Sequence, residues 1–287
     1  MLLDILQLTI YGIVIGSIIA LGAIGVSLTF GILRFANFAH GDLMTFGAYV
    51  AFTVYTILGL PMWLGLPAAM AATVLLAFAL DRVVFIRLRR KNPVVLLIAS
   101  FGIALMIRSA VQIVWGPETL VYVQGIQLPW RFAGLRLKPD QLTILVSAAV
   151  LVFALHMFLT HSKVGKAMRA MADNPDLARI SGIDTERIVL WTWGIGAALA
   201  AAAGIFLGLD TRLLPEMGWF ILLPIFAAAI LGGIGKPYGA IAGGLIIGVA
   251  QELSTLVIDP SYKAAVAFAI MVVVLIVRPT GIFGGRS

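Results

Sequence analysis

Nine apolar stretches, each long enough or nearly long enough to cross a bilayer, limit what this chain can fold into more than any other feature. They run near residues 9–31, 43–60, 64–86, 93–115, 139–160, 188–209, 219–234, 238–258 and 262–278. A helix needs about 20 mostly apolar residues to cross a hydrocarbon core about 30 Å thick, and there it satisfies its own backbone hydrogen bonds. The short alternating strands of a barrel do not dominate. The pattern predicts an all-α, polytopic transmembrane helix bundle. The seventh stretch is short and holds Pro224, which marks a broken or re-entrant helix and gives eight or nine spans. Of 287 residues, 61% are hydrophobic and 11% charged, against about 25% charged in a soluble domain. Met1 to Gln7 carries no Lys or Arg, so the first stretch reads as a first helix and not a cleavable signal.

A net charge of +7 suggests nucleic acid only until the basic residues are located. They lie in short connectors, where topology accounts for them. Arg82, Arg87, Arg89, Arg90 and Lys91 follow the third stretch; Lys163, Lys166, Arg169, Arg179 and Arg187 follow the fifth. With Arg34, Lys236, Arg278 and Arg286 these mark the cytoplasmic side, and five (Arg131, Arg136, Lys138, Arg212 and Lys263) mark the other. Nine spans then put the N-terminus outside and the C-terminus in the cytoplasm. Two outer connectors, 116–138 and 210–218, serve either as a structured cap or as a partner contact. Cysteine is absent, which excludes disulfides and thiolate metal sites.

Enzyme chemistry finds no motif. The nearest approach to a phosphate-binding loop is "GGIGKPYGA", where Pro237 stands in place of the hydroxyl that a P-loop needs. His40, His156 and His161 lack metal-site spacing with acids, and no G-x-S-x-G elbow occurs. No cofactor is called for.

Three features ask for a role. Within "RFANFAHGDLMTFGAYV" (Arg34 to Val50) an arginine, Asn37, His40, Gly41 and Asp42 sit between two apolar spans, at the cytoplasmic mouth by the span boundaries. Arg34 suits a topology anchor, and the others either cap broken helix ends or line a gate. Second, residues 161–187 carry five basic and four acidic residues with Ala167, Met168, Met171, Ala172, Leu177 and Ile180 at helical spacing. They predict two short amphipathic helices broken at "DNP", with Asp173 or Asn174 capping the second, Pro175 at its first position and Gly182 ending it. Such a pair suits a groove in a partner or a headgroup layer. Third, Arg108 lies inside the fourth span and Glu252 near the outer end of the eighth; Arg108 either snorkels or pairs with a carboxylate such as Asp81. The pairs Gly12/Gly16, Gly204/Gly208, Gly239/Gly243 and Gly244/Gly248 have the spacing for close helix packing, within the bundle and with a second copy or partner.

Taken together, "LRFANFAHGDLMTFGAYV", "GKAMRAMADNPDLARISGI", "AAAILGGIGKPYGAIAGGLIIGVAQE" and "VRPTGIFG" resemble the membrane permease of branched-chain amino-acid ABC transporters, and the shorter of that system's two permeases. The resemblance spans Tyr11 to Gly284. It implies one permease domain over residues 1–287 in a bacterial-type cytoplasmic membrane. It also implies a second permease subunit or copy, two ATPase subunits that use the ATP, and an extracytoplasmic binding protein. Residues 161–187 then match the coupling element, with Gly165, Arg169, Ala170, Asp173 and Gly182 on its recurring positions. Permeases of similar sequence also serve urea, short amides and aromatic acids, so the substrate stays open among these. The alternative is an ion-driven secondary transporter with Arg108 and Glu252 as its ion site. A structural or receptor subunit would explain the glycines but not the connector.

Overall fold

A computed structural model describes residues 2–89, 91–122, 128–132, 134–278 and 280–284. Arg90, Arg286, Pro279 and part of the outer connector 116–138 lie outside that set. All nine apolar stretches are helical. They are α1 (Leu2–Leu33), α2 (Ala39–Phe52), which continues through a π-helical turn to Ile57, and α3 (Met62–Leu80), which continues through another π turn into α4 (Ile86–Leu88). Then come α5 (Pro93–Trp115), α6 (Pro139–His161), α9 (Thr185–Asp210), α10 (Met217–Gly232), α11 (Pro237–Ser254) and α12 (Lys263–Val277), with the short α7 (Lys163–Asp173) and α8 (Pro175–Ile180) between α6 and α9. A two-stranded hairpin, β1 (Trp130–Phe132) and β2 (Leu135–Leu137), precedes α6.

Among the described residues, six helices are long and apolar enough to cross a membrane by length and composition. In the most apolar windows of α1 and α9, 78% and 72% of residues are buried, against 22% in α6 and 6% in the segment leading into α12. So α1 and α9 form the axis, and α3, α5, α6 and α12 turn apolar side chains outward, as a lipid-facing shell does. The α10 helix runs unbroken through Pro224 but has only 16 residues, about 24 Å at 1.5 Å per residue.

The small-xxx-small pairs close on partners within the chain. Antiparallel to α1, α11 brings Gly248 and Gly244 against Gly16 and Ala20. A methyl group on Gly248 would lie 2.3 Å from the Gly16 Cα. Likewise Gly204 sits on Met44 of α2, and Gly239 and Gly243 on Gly232 and Ala228 of α10. Replacing Gly248 with leucine is expected to force α11 off α1 and cost roughly 1–3 kcal/mol through overpacking. The melting temperature in detergent measures this, and an unchanged value would contradict the contact.

The α1–α11 contact also gives the bundle a ruler. Gly12 meets Val249 at one end, and Gly31 meets Gly235 at the other. The Gly31 end carries the 161–187 connector, since α7 packs on α1, α6 and α9 there.

Candidate functional site

The polar stretch after α1 folds back into the bundle. Arg34 is the one non-glycine residue with positive φ among the described residues, at 58°. That left-handed geometry costs an L-residue roughly 1–2 kcal/mol, and here it reverses the chain. Its amide still donates to the Phe30 carbonyl at 2.8 Å. The chain does not stay at the mouth as the span boundaries suggest. The His40 ring rests on Gly25, and Gly41 packs on Gly218 and Leu222 of α10, whose Ile225 rests on Gly22. On the α1 ruler those contacts lie near the middle of the bundle.

The hydrogen-bonding roles then divide by residue. The Asn37 Oδ1 accepts from the Ala39 amide at 3.1 Å, so Asn37, one residue ahead of the Phe38 N-cap, satisfies the first amide of α2. Beside it, the Phe38 amide donates to Ser100 Oγ of α5 at 3.0 Å. Asp42 caps nothing: its carboxylate takes Nε and Nη2 of Arg108 at 3.0 and 3.2 Å and is 0% exposed. Asn37 Nδ2 and His40 Nε2 are buried with no hydrogen-bond partner among the described residues. Buried polar atoms normally find partners, and these two stand three residues apart at the start of α2.

Arg108 therefore pairs with Asp42 and not with Asp81. Asp81 is taken by Arg89 at 2.5 Å, and Arg89 also holds Glu186 of α9 at 2.5 Å. Sequence reasoning named Arg108 and Asp42 separately because their helices pack only in three dimensions. It missed Trp219, over whose ring the Arg108 guanidinium sits at 5.3 Å, and the aromatic group that Trp219 makes with Phe38 and Phe101.

The two helices that meet at this point run oppositely. From Gly41, α2 runs toward the end where Trp115 donates to Thr53 and Tyr122 to the Ala48 carbonyl. From Gly218, α10 runs toward the connector end, where Gly232 meets Gly239. Gly218 donates its amide to Thr45 Oγ1 at 3.1 Å. A methyl group at Gly218 would overlap the Gly41 carbonyl at 1.8 Å, so two helix beginnings are locked backbone to backbone inside the bundle. Glu252 lies elsewhere, held by Lys263 at 2.5 Å, so Arg108 and Glu252 do not form one ion site.

At the connector end α7 and α8 form the predicted helix pair. Ser162 Oγ accepts from the Gly165 amide at 2.8 Å. Asn174, and not Asp173, caps α8, accepting from Asp176 and Leu177 at 3.1 and 3.0 Å, with Pro175 at the first position. Gly182 has φ of 83°, with Ile183 donating to the Ala178 carbonyl and Gly182 to Arg179. That bond pair closes a helix C-terminus tightly. Met168 and Met171 are buried, whereas Leu177 and Ile180 point outward at 57% and 81% exposure. Arg169, Ala170 and Asp173 are exposed on the same pair. Gly165 is different: a methyl there would strike the Phe158 carbonyl of α6 at 2.4 Å, so it seats the pair on the bundle.

An apolar bundle with a helix break at its centre, a buried ion pair beside it and an amphipathic pair standing off one end defines a multi-pass membrane transport subunit. The chain belongs to the family of branched-chain amino acid transport system permease components, whose family model matches residues 8–275. It is 34% identical over 295 residues to the high-affinity branched-chain amino acid transport system permease protein BraD of Pseudomonas aeruginosa, covering 97% of this chain and 95% of that one. LivH of Escherichia coli K12, a permease protein of the same description, is 33% identical over 294 residues with the same coverage. The second permease protein of that bacterium's system, LivM, is 25% identical, covering 97% of this chain and 69% of LivM. Among solved structures, PsaBC from Streptococcus pneumoniae in complex with Fab shares the fold, with a TM-score of 0.54 at 12% identity over 97% of this chain and 94% of that one. The chain is thus a permease subunit, not an enzyme.

Proposed function

We propose that this chain is one permease of an ATP-driven importer of branched-chain amino acids. It pairs with a second permease subunit or copy, takes substrate from an extracytoplasmic binding protein, and rests on two ATPase subunits at the connector end. That end faces the cytoplasm, as its lysines and arginines favour, with the N-terminus outside. The observation that carries the proposal is the α7–α8 pair. Its ends are tied by side-chain and backbone caps, its inner face is seated on α6 and α9, and its outer face offers Arg169, Ala170, Asp173, Leu177 and Ile180 to a partner.

A pair built this way moves as one body when the partner ATPases close. Behind it lies a cavity lined by Leu33, Phe35, Met171, Pro175, Arg179 and Glu186, which gives the pair room to shift against the start of the re-entrant stretch. The Arg89 bridge to Asp81 and Glu186 ties the end of α3 to the start of α9, so the displacement reaches both. The proposed gate is the centre of the bundle, where Asn37, His40, Gly41 and Asp42 meet α5 and α10, and it alternates access between the two ends.

Arg169→Glu reverses the charge offered to the ATPase, and Gly182→Val puts a β-branched residue where φ is positive. Each is expected to lower ATP-dependent leucine uptake by roughly tenfold or more. Leucine capture by the binding protein should be unchanged. Uptake at the wild-type rate in both variants would remove the coupling role from this pair.

A further inference from the structure

At the end opposite the connector, α1, α6, α9, α10, α11 and α12 surround a cavity of about 640 Å³, within the range of small-molecule sites. Its wall is apolar, with Ile15, Ile19, Leu214, Phe220 and Pro224 among the lining residues. Its rim is charged: Lys138, Asp210, Arg212, Glu252 and Lys263 converge there with the amide of Gln141. Three of the five basic residues assigned to the outer side are therefore gathered around one hole. A wall facing hydrocarbon does not collect charges of both signs, because each is costly there.

The charges are not all spent on one another. Glu252 and Lys263 neutralise each other at 2.5 Å. Asp210 accepts from the Gln141 amide at 3.4 Å and feels the charges of Lys138 and Lys263, yet among the described residues no salt bridge joins it, Lys138 or Arg212 to an opposite charge. The cavity thus presents one carboxylate and two cations outside any salt bridge among the described residues, across an apolar wall. From this we infer that the cavity is a receiving site for a zwitterionic α-amino acid with an apolar side chain. Asp210 takes the ammonium, Lys138 and Arg212 take the carboxylate, and the Ile15–Ile19–Phe220 wall takes the side chain. Met217 and Ile221 of α10, also in the wall, sit beside Gly218, so the site opens above the central helix break. This inference rests on the proposed function for its substrate class, and Glu252 belongs to it as the structural partner of Lys263 and not as an ion-coupling residue.

The test uses the full-length chain with its second permease in nanodiscs. Photo-leucine is the covalent probe, and leucine, isocaproate (no ammonium) and isopentylamine (no carboxylate) are competitors. Photo-leucine is expected to label peptides within 11–19, 207–224 or 251–264, with leucine competing and the two truncated analogues competing roughly tenfold or more weakly. Asp210→Asn should weaken leucine by a similar factor and leave isocaproate unchanged, and Arg212→Gln should weaken leucine and leave isopentylamine unchanged. Labelling confined to other segments overturns the site in the wild-type chain, whatever the variants do to folding. Isocaproate binding as well as leucine also overturns it, pointing to an anionic lipid headgroup as occupant. Leucine import by the wild-type complex without labelling here removes the site and leaves the proposed function. Labelling here in a complex that imports no leucine removes the function and keeps a zwitterion site.

Discussion

Arg108→Leu is expected to abolish transport and to destabilise the chain by about 3–5 kcal/mol, the largest single effect in the bundle. The change leaves the Asp42 carboxylate, 0% exposed, inside the fold without its bidentate partner. A buried charge stripped of its counter-charge costs far more than the pair contributed while intact. The double variant Asp42→Asn with Arg108→Gln removes both charges and should recover most of the lost stability. It should not recover transport if the ion pair holds the α2–α5 junction at the gate. Melting temperature and monodispersity in detergent read the first effect, and leucine uptake reads the second. Equal stability for Arg108→Leu and the wild type would mean that the pair is solvated and the stretch is not central.

The second large effect separates the two roles weighed for the re-entrant stretch. Replacing both Asn37 and His40 by alanine should leave the complex assembled but reduce uptake at least tenfold. The structural costs differ between the two residues. Losing the Asn37 cap on Ala39 costs about 1 kcal/mol. Removing His40 deletes one partnerless nitrogen, Nε2, but also the ring's hydrogen bond with the Gly22 backbone and the volume the buried ring fills beside Gly25. If assembly is lost instead, these residues are only helix caps. The single variants should also differ: His40→Ala empties a buried ring site and breaks its bond to Gly22, so it lowers the melting temperature more than Asn37→Ala, while both lower uptake.

How much of this was legible beforehand depends on whether a feature is local in the chain. The α7–α8 pair was readable almost residue by residue, because caps act within one turn: Asn174, Pro175 and Gly182 each do in three dimensions what their neighbours in sequence require. The nine apolar stretches were readable because bilayer thickness sets their length. The depth of the 34–42 stretch was not. It depends on a left-handed Arg34 and on Gly41 meeting Gly218, and no local pattern announces a contact between residues so far apart. Arg108 was visible as a charge that needed a partner, but the nearest plausible acid on its side of the chain was Asp81, while the true one stands 66 residues away on α2. The outer cavity was harder still. Lys138, Asp210, Arg212 and Lys263 look like ordinary connector residues until α6, α9, α11 and α12 bring their ends together. The outward side chains of Leu177 and Ile180 follow from how α8 is seated on α9, which spacing alone does not fix.

The central claim is that an external ATPase drives this bundle through α7 and α8. It is tested most directly in proteoliposomes holding the permease, its second permease and the ATPase subunits, with the binding protein and tritiated leucine outside and ATP inside. The account predicts leucine accumulation that requires ATP, is indifferent to dissipating the proton and sodium gradients, and is lost with Arg169→Glu while binding-protein capture persists. Accumulation that proceeds without the ATPase and collapses with the ion gradient would contradict it.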